Sequence, residues 1–126
     1  MYTHIKGVQI LISLLKQFNI SHVVLYSGTR NTALVEALKM IHFFTVISIV
    51  DERSAGYFAL GLSEALDEPV CVSCTAATAT CNYLPAMKEA YERNIQLLHL
   101  LQIRIHMKCF IWRISVLIRW ICSMDM

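Results

Sequence analysis

Apolar side chains recur along this chain with two alternating periods. Val8, Leu11, Ile12, Leu15 and Phe18 fall at helical spacing and predict an amphipathic helix over about residues 5–19, closing near Asn19. The run His22-Val23-Val24-Leu25-Tyr26 then predicts a short buried strand within Ser21 to Ser27, and Gly28-Thr29-Arg30 predicts a turn. Asn31 or Thr32 caps a second helix with Leu34, Ala37, Leu38 and Ile41 on its apolar side. Phe43 to Val50 reads as the second strand. A third helix starts at Glu52 and sets Ala55, Phe58, Ala59, Leu62 and Leu66 on one stripe before ending near Glu68-Pro69. Val70 to Thr75 reads as the third strand. The turn Thr75-Ala76-Ala77-Thr78 opens a fourth helix that buries Tyr83, Ala86, Met87 and Ala90 and is kinked by Pro85; Ile95 to Leu101 makes the fourth strand. Strands separated by helices of this length are joined by right-handed crossovers, so the expected fold class is α/β, a parallel sheet with helices on both faces.

Composition narrows this picture. The chain has 126 residues, enough for one domain with a real core, and its 56% hydrophobic and 16% charged residues exclude disorder. A formal net charge of +2 is too small to argue for nucleic acid. Five cysteines without framework spacing, and no signal peptide, make a reducing cytoplasm the default and disulfides unexpected.

The candidate chemistry sorts by position. Cys71-Val72-Ser73-Cys74 has redox or zinc spacing, yet on a strand residues three apart point to opposite faces, so these cysteines read as core. His4, His22, His42, His99 and His106 form no metal-ligand pair on a helix, and no metal site is expected. Gly56 and Gly61 lie inside the third helix, where each costs about 1 kcal/mol relative to alanine. Close helix packing, against a second subunit among other partners, is the expected reason for them; neither a dinucleotide fingerprint nor a Walker sequence is present. Three turns fall on one edge of the predicted sheet: Gly28-Thr29-Arg30, Asp51-Glu52 and Thr75-Ala76-Ala77-Thr78. They bring a cation, an acid and a hydroxyl-lined helix start to one crevice, which supports a small-molecule site with room for an anion. Unaided, Glu52 reads first as an acid favoured by a helix start, and Arg30 first as a solvated turn residue.

Four segments in order carry a family resemblance: Tyr26-Ser27-Gly28-Thr29-Arg30-Asn31-Thr32, Val50-Asp51-Glu52-Arg53-Ser54-Ala55, Cys74-Thr75-Ala76-Ala77-Thr78-Ala79 and Asn82-Tyr83-Leu84-Pro85-Ala86. Together they resemble the N-terminal pyrimidine-binding domain of thiamine-diphosphate-dependent enzymes, most closely those that add a succinyl unit to isochorismate in menaquinone biosynthesis. The resemblance implies a cofactor, thiamine diphosphate, held here by its pyrimidine end, and a 2-oxo acid as small-molecule substrate. It implies that Glu52 is the catalytic acid, hydrogen-bonding N1′ of the aminopyrimidine, and that Thr75 and Thr78 line the cofactor. Thr29 and Arg30 match a serine and an arginine that hold a substrate carboxylate, a task suited to the planar guanidinium fork. Ala76-Ala77 depart from the family's serine and glycine.

The family's diphosphate and magnesium are bound by a second domain with a Gly-Asp-Gly motif, across a subunit boundary. These 126 residues hold no such motif. The resemblance therefore implies that the polypeptide is inactive alone and needs a homodimer or a separate cofactor-binding domain. It spans about residues 5–100, so residues 1–101 are taken as one domain and 102–126 as a divergent tail. Codons can be chosen for that tail which, read two bases later, give an acidic, proline-containing continuation like the family's, so a frameshift near residue 101 is one expectation. The other takes Met107, Phe110, Ile111, Ile114, Leu117, Ile118 and Ile121 as a basic amphipathic helix resting on a membrane or a partner, in a noncatalytic α/β small-molecule-binding module. Charges interrupt it too often for a membrane span.

Overall fold

The computed structural model of the chain describes residues 3–26, 32–75, 77–103 and 106–112, with Ala77 and the residues from 102 onward described by backbone alone. Helix α1 (Lys6–Gln17) leads into β1 (His22–Tyr26), α2 (Thr32–Lys39), β2 (Thr45–Ile49), α3 (Glu52–Leu66), β3 (Val70–Cys74), α4 (Ala77–Arg93), β4 (Leu97–Ile103) and β5 (His106–Trp112). Helices α1, α3 and α4 are followed by Asn19, Asp67 and Asn94, each with φ between 54° and 58°. Short polar side chains of this type tolerate the left-handed conformation that turns a chain off a helix end.

The strands form one sheet in the order β2-β1-β3-β4-β5. β1 pairs in parallel with β2 and with β3, and β3 in parallel with β4, so four strands end on the same edge. The chain passes from β1 outward to β2 and then crosses β1 to reach β3, which places the two crossover helices on opposite faces. One face is covered by α1 and α2, where Val8, Ile12, Leu15, Leu34 and Leu38 pack on Val23, Leu25, Cys71 and Leu100. The other is covered by α3 and α4, where Ala55, Ala59, Tyr83 and Met87 pack on Val24, Val72, Cys74 and Leu101. β3 is buried throughout, as a central parallel strand must be, and Cys71 and Cys74 enter opposite cores as their spacing predicts.

Three expectations are corrected here. In α3 the inward stripe is Ala55, Gly56, Ala59, Leu60 and Ser63, whereas Phe58 and Leu66 are 44% and 41% exposed. Phe18, expected on the face of α1, likewise sits past the helix end and is exposed. Gly56 serves packing inside this chain: a Cβ there would lie 2.9 Å from Tyr83 Cδ1 and 3.2 Å from Ala86 Cβ, while one at Gly61 would meet nothing within 4 Å. We expect Gly61→Ala to stabilise the fold by about 0.5–1 kcal/mol through helix propensity, and Gly56→Ala to destabilise it by about 1–3 kcal/mol through overpacking. Urea midpoints of the two variants check the sign.

The tail is the third correction. Residues 106–112 form an antiparallel strand on β4, with Leu97 opposite Trp112 and Ile103 opposite His106, instead of the start of an amphipathic helix. Strand pairing with β4 satisfies a backbone edge that a helix would leave bare, and the local helical spacing yields to it. Ile114, Leu117, Ile118 and Ile121 lie outside the described residues. No helix among the described residues is long and apolar enough to cross a membrane.

Candidate functional site

The sheet topology fixes where a site can form. The chain leaves β1 toward β2 on one side and returns to β3 on the other, so the crevice beyond the carboxyl ends of β1 and β3 is a topological switch point. Tyr26 ends β1, Cys74 ends β3, and β2 delivers Val50, Asp51 and Glu52 beside them. The strands that precede the three expected turns do end on one edge. Thr29 and Arg30, in the first of those turns, lie outside the described residues.

Asp51 and Glu52 are adjacent carboxylates with different tasks. Asp51 is the N-cap of α3: its Oδ2 accepts hydrogen bonds from Ser54 N at 2.8 Å and Ser54 Oγ at 2.7 Å. Those bonds, the hydroxyl first, hold its carboxyl below the usual carboxylate value. The side-chain cap of α3 is therefore supplied by Asp51, and Glu52 adds only its charge to the helix start. Glu52 is the first helical residue and is half-buried. Its charge reaches inward, because it is one of the groups that disfavour ionisation of Tyr83.

Tyr83 packs in the core behind this edge. It is fully enclosed between α3 and the sheet, and its phenol donates to the carbonyl oxygen of Ser73 at 3.3 Å. Burial, followed by the charges of Cys74, Glu52, Cys71 and Tyr26, raises its pKa far above the usual phenol value, so it acts as a neutral donor. Next to it, Cys74 Sγ lies 3.3 Å from His99 Nε2 and 3.6 Å from Thr80 Oγ1. The His99 ring is 5.2 Å from the Tyr83 ring, and burial lowers its pKa to about 4. Sequence spacing could not reveal His99: its partner is 25 residues away and on another strand. The regular inward positions of β3 and β4 were the available signal, since Cys74 and His99 must share a face if Val72 and His99 are in register.

Thr75 follows β3 directly and is half-buried, and Thr78 is exposed in the first turn of α4. Both belong to the same edge as Glu52. Ser73 Oγ, wholly buried, finds no partner among the described residues. A depression of about 240 Å³ lies at the opposite end of the strands, lined by Ser63, Glu64, Asp67, Glu68, Arg93 and Gln96 among others. Its cation, Arg93, is ion-paired with Glu64 and lies 3.8 Å from Glu89, so it is engaged in holding α3 and α4 together. The carboxyl edge, with its half-buried acid and neutral phenol, is the better place for chemistry. No grouping of three or more His, Cys, Asp or Glu capable of holding a metal occurs among the described residues.

A parallel α/β domain with an acid at the end of β2 and a hydroxyl-bearing turn after β3 defines a small-molecule-binding class, and comparison with known proteins narrows it. Residues 5–104 match the model of the thiamine pyrophosphate enzyme N-terminal TPP binding domain, and the chain belongs to that family. It is 42% identical over 98 residues to a 2-succinyl-5-enolpyruvyl-6-hydroxy-3-cyclohexene-1-carboxylate synthase of Phocaeicola vulgatus, covering 78% of this chain and 18% of that protein. The synthase of the same name from Bacteroides thetaiotaomicron is 44% identical over 97 residues, covering 77% and 18%. The chain thus spans less than a fifth of the length of these relatives, at 18% of each. Among solved structures, benzoylformate decarboxylase from Polynucleobacter necessarius superposes with a TM-score of 0.66 at 22% identity, over 75% of this chain and 18% of that one. This last likeness concerns the fold.

Proposed function

We propose that this domain supplies the pyrimidine-binding half of a thiamine-diphosphate-dependent decarboxylase and carboligase, with succinyl transfer to isochorismate as the activity of its relatives that it fits best. The observation that carries the reading is the division of labour at the start of α3, where Asp51 caps the helix and Glu52 is left half-buried at the switch point. An aminopyrimidine needs one carboxyl for a ring nitrogen, and the half-buried Glu52 at this edge fits that need.

In this reading Glu52 holds a proton at N1′ of the ring, and Thr75 and Thr78 border it. Thr29 and Arg30 take the carboxylate of a 2-oxo acid. When bound, thiamine diphosphate supplies the electron sink for decarboxylation, and the chain supplies orientation and a proton partner. Magnesium goes with the diphosphate end in complete family members. The described residues offer it no ligand cluster, so no step here is assigned to it.

The polypeptide by itself is then inactive and works with a second subunit or a separate cofactor-binding domain. Mixing it with thiamine diphosphate, magnesium and the cofactor-binding portion of a relative should restore carbon dioxide release from a 2-oxo acid. Titration calorimetry follows cofactor binding in the same mixture. Indifference to the cofactor in every combination overturns the proposal.

A further inference from the structure

The functional reading leaves open what fixes the position of Glu52, and this inference rests on that reading. Glu52 and Gly56 are four residues apart in α3 and therefore lie on the same side of the helix, one turn from each other. At Gly56 the helix comes so close to α4 that a single methyl group would stand 2.9 Å from the Tyr83 ring and 3.7 Å from the Tyr83 Cα. The distance between the first turn of α3 and the body of α4 is thus set by a glycine facing a tyrosine.

That tyrosine is itself tied down. Its Oη bonds the main chain of Ser73, next to the end of β3, and its ring lies against that of His99 on β4. The Cys74 thiol joins His99 to Thr80, in the first turn of α4. The carboxyl end of β3, the start of α4 and the start of α3 are therefore held at one point. The charge of Glu52 is among those that disfavour ionisation of the Tyr83 phenol, in keeping with the link through Gly56.

We infer that Tyr83, acting through its contact with Gly56 and its bond to Ser73, is the positioning residue that sets the depth at which α3 presents Glu52 to the cofactor. Tyr83→Phe keeps the ring and removes only the bond to Ser73, whereas Gly56→Ala widens the helix contact. Both should loosen the first turn of α3 without unfolding the sheet.

The test has two arms. In the full chain, hydrogen exchange at the Ser54 and Ala55 amides should rise in both variants at least about tenfold more than exchange at the β3 amides, which follow global stability. In the reconstituted decarboxylation described above, each variant should lower kcat about tenfold when position 52 is Glu and have no further effect in a Glu52→Gln background, as required of residues that act through Glu52. Gly61→Ala, facing open space, should alter neither readout. Equal losses in both backgrounds, or unchanged exchange, overturn the inference. If Glu52→Gln leaves turnover intact, it is the functional reading that falls, and the exchange arm still decides whether Tyr83 positions the helix start.

Discussion

Glu52→Gln should lower turnover in the reconstituted system by on the order of a hundredfold or more, the range in which a positioned proton partner contributes to catalysis. Glutamine preserves the size of the side chain and its place in the first helical turn, and the cap of α3 is untouched because Asp51 and Ser54 form it. Folding should therefore be unaffected while the chemistry is lost. Asp51→Asn makes the informative comparison, since it weakens the cap and leaves Glu52 in place. It should lower the melting temperature, most visibly when compared well above pH 3.8, where the wild-type carboxyl is ionised. Steady-state rates measured beside thermal melts separate the two effects. Full activity in Glu52→Gln would place the catalytic acid elsewhere.

The second large effect is on stability in acid. His99 is 3% exposed, and burial holds its imidazole neutral down to about pH 4, against an ordinary value of 6.5. The folded state thus takes up its proton later than the unfolded chain does. The contribution of His99 is complete above pH 6.5 and is lost as the pH falls toward 4, by about 3 kcal/mol over that window, a large share of the stability of a small domain. Asp51 acts in the same direction but below 3.8, so the two limbs are separable. Urea midpoints measured from pH 7 to pH 4 should decline in the wild type and stay nearly level in His99→Leu. An equal decline in that variant would assign the acid sensitivity to other groups.

Most of the architecture could be read from residue periodicity, because three buried strands, one half-exposed edge strand and four amphipathic helices alternate with little ambiguity. The ends differ by one to three residues, where caps and turns decide. α3 was misread for a physical reason. Its buried side is made of Ala55, Gly56, Ala59, Leu60 and Ser63, of which all but Leu60 are too small to give much hydrophobic signal, and the larger Phe58 and Leu66 drew the stripe to the wrong side. Small residues there serve the approach of α4, a tertiary demand that one helix cannot show.

The tail misled differently. Met107, Cys109 and Ile111 fit a period of two as well as the helical set fits its own, and the pairing with β4 chose between them. At the site, the sequence placed Glu52 at the start of α3 and the ends of three strands on one edge. It hid the separate role of Asp51, which depends on a hydrogen-bonding direction, and the thiol–imidazole contact of Cys74 and His99, which depends on strand register.

The antiparallel course of β5 has a further consequence. β4 has two hydrogen-bonding sides; β3 takes one and residues 106–112 take the other. A neighbouring βα unit that sought to lengthen the sheet there would have to evict the hairpin first, so on that flank the tail and any such extension are rivals for a single row of amides and carbonyls.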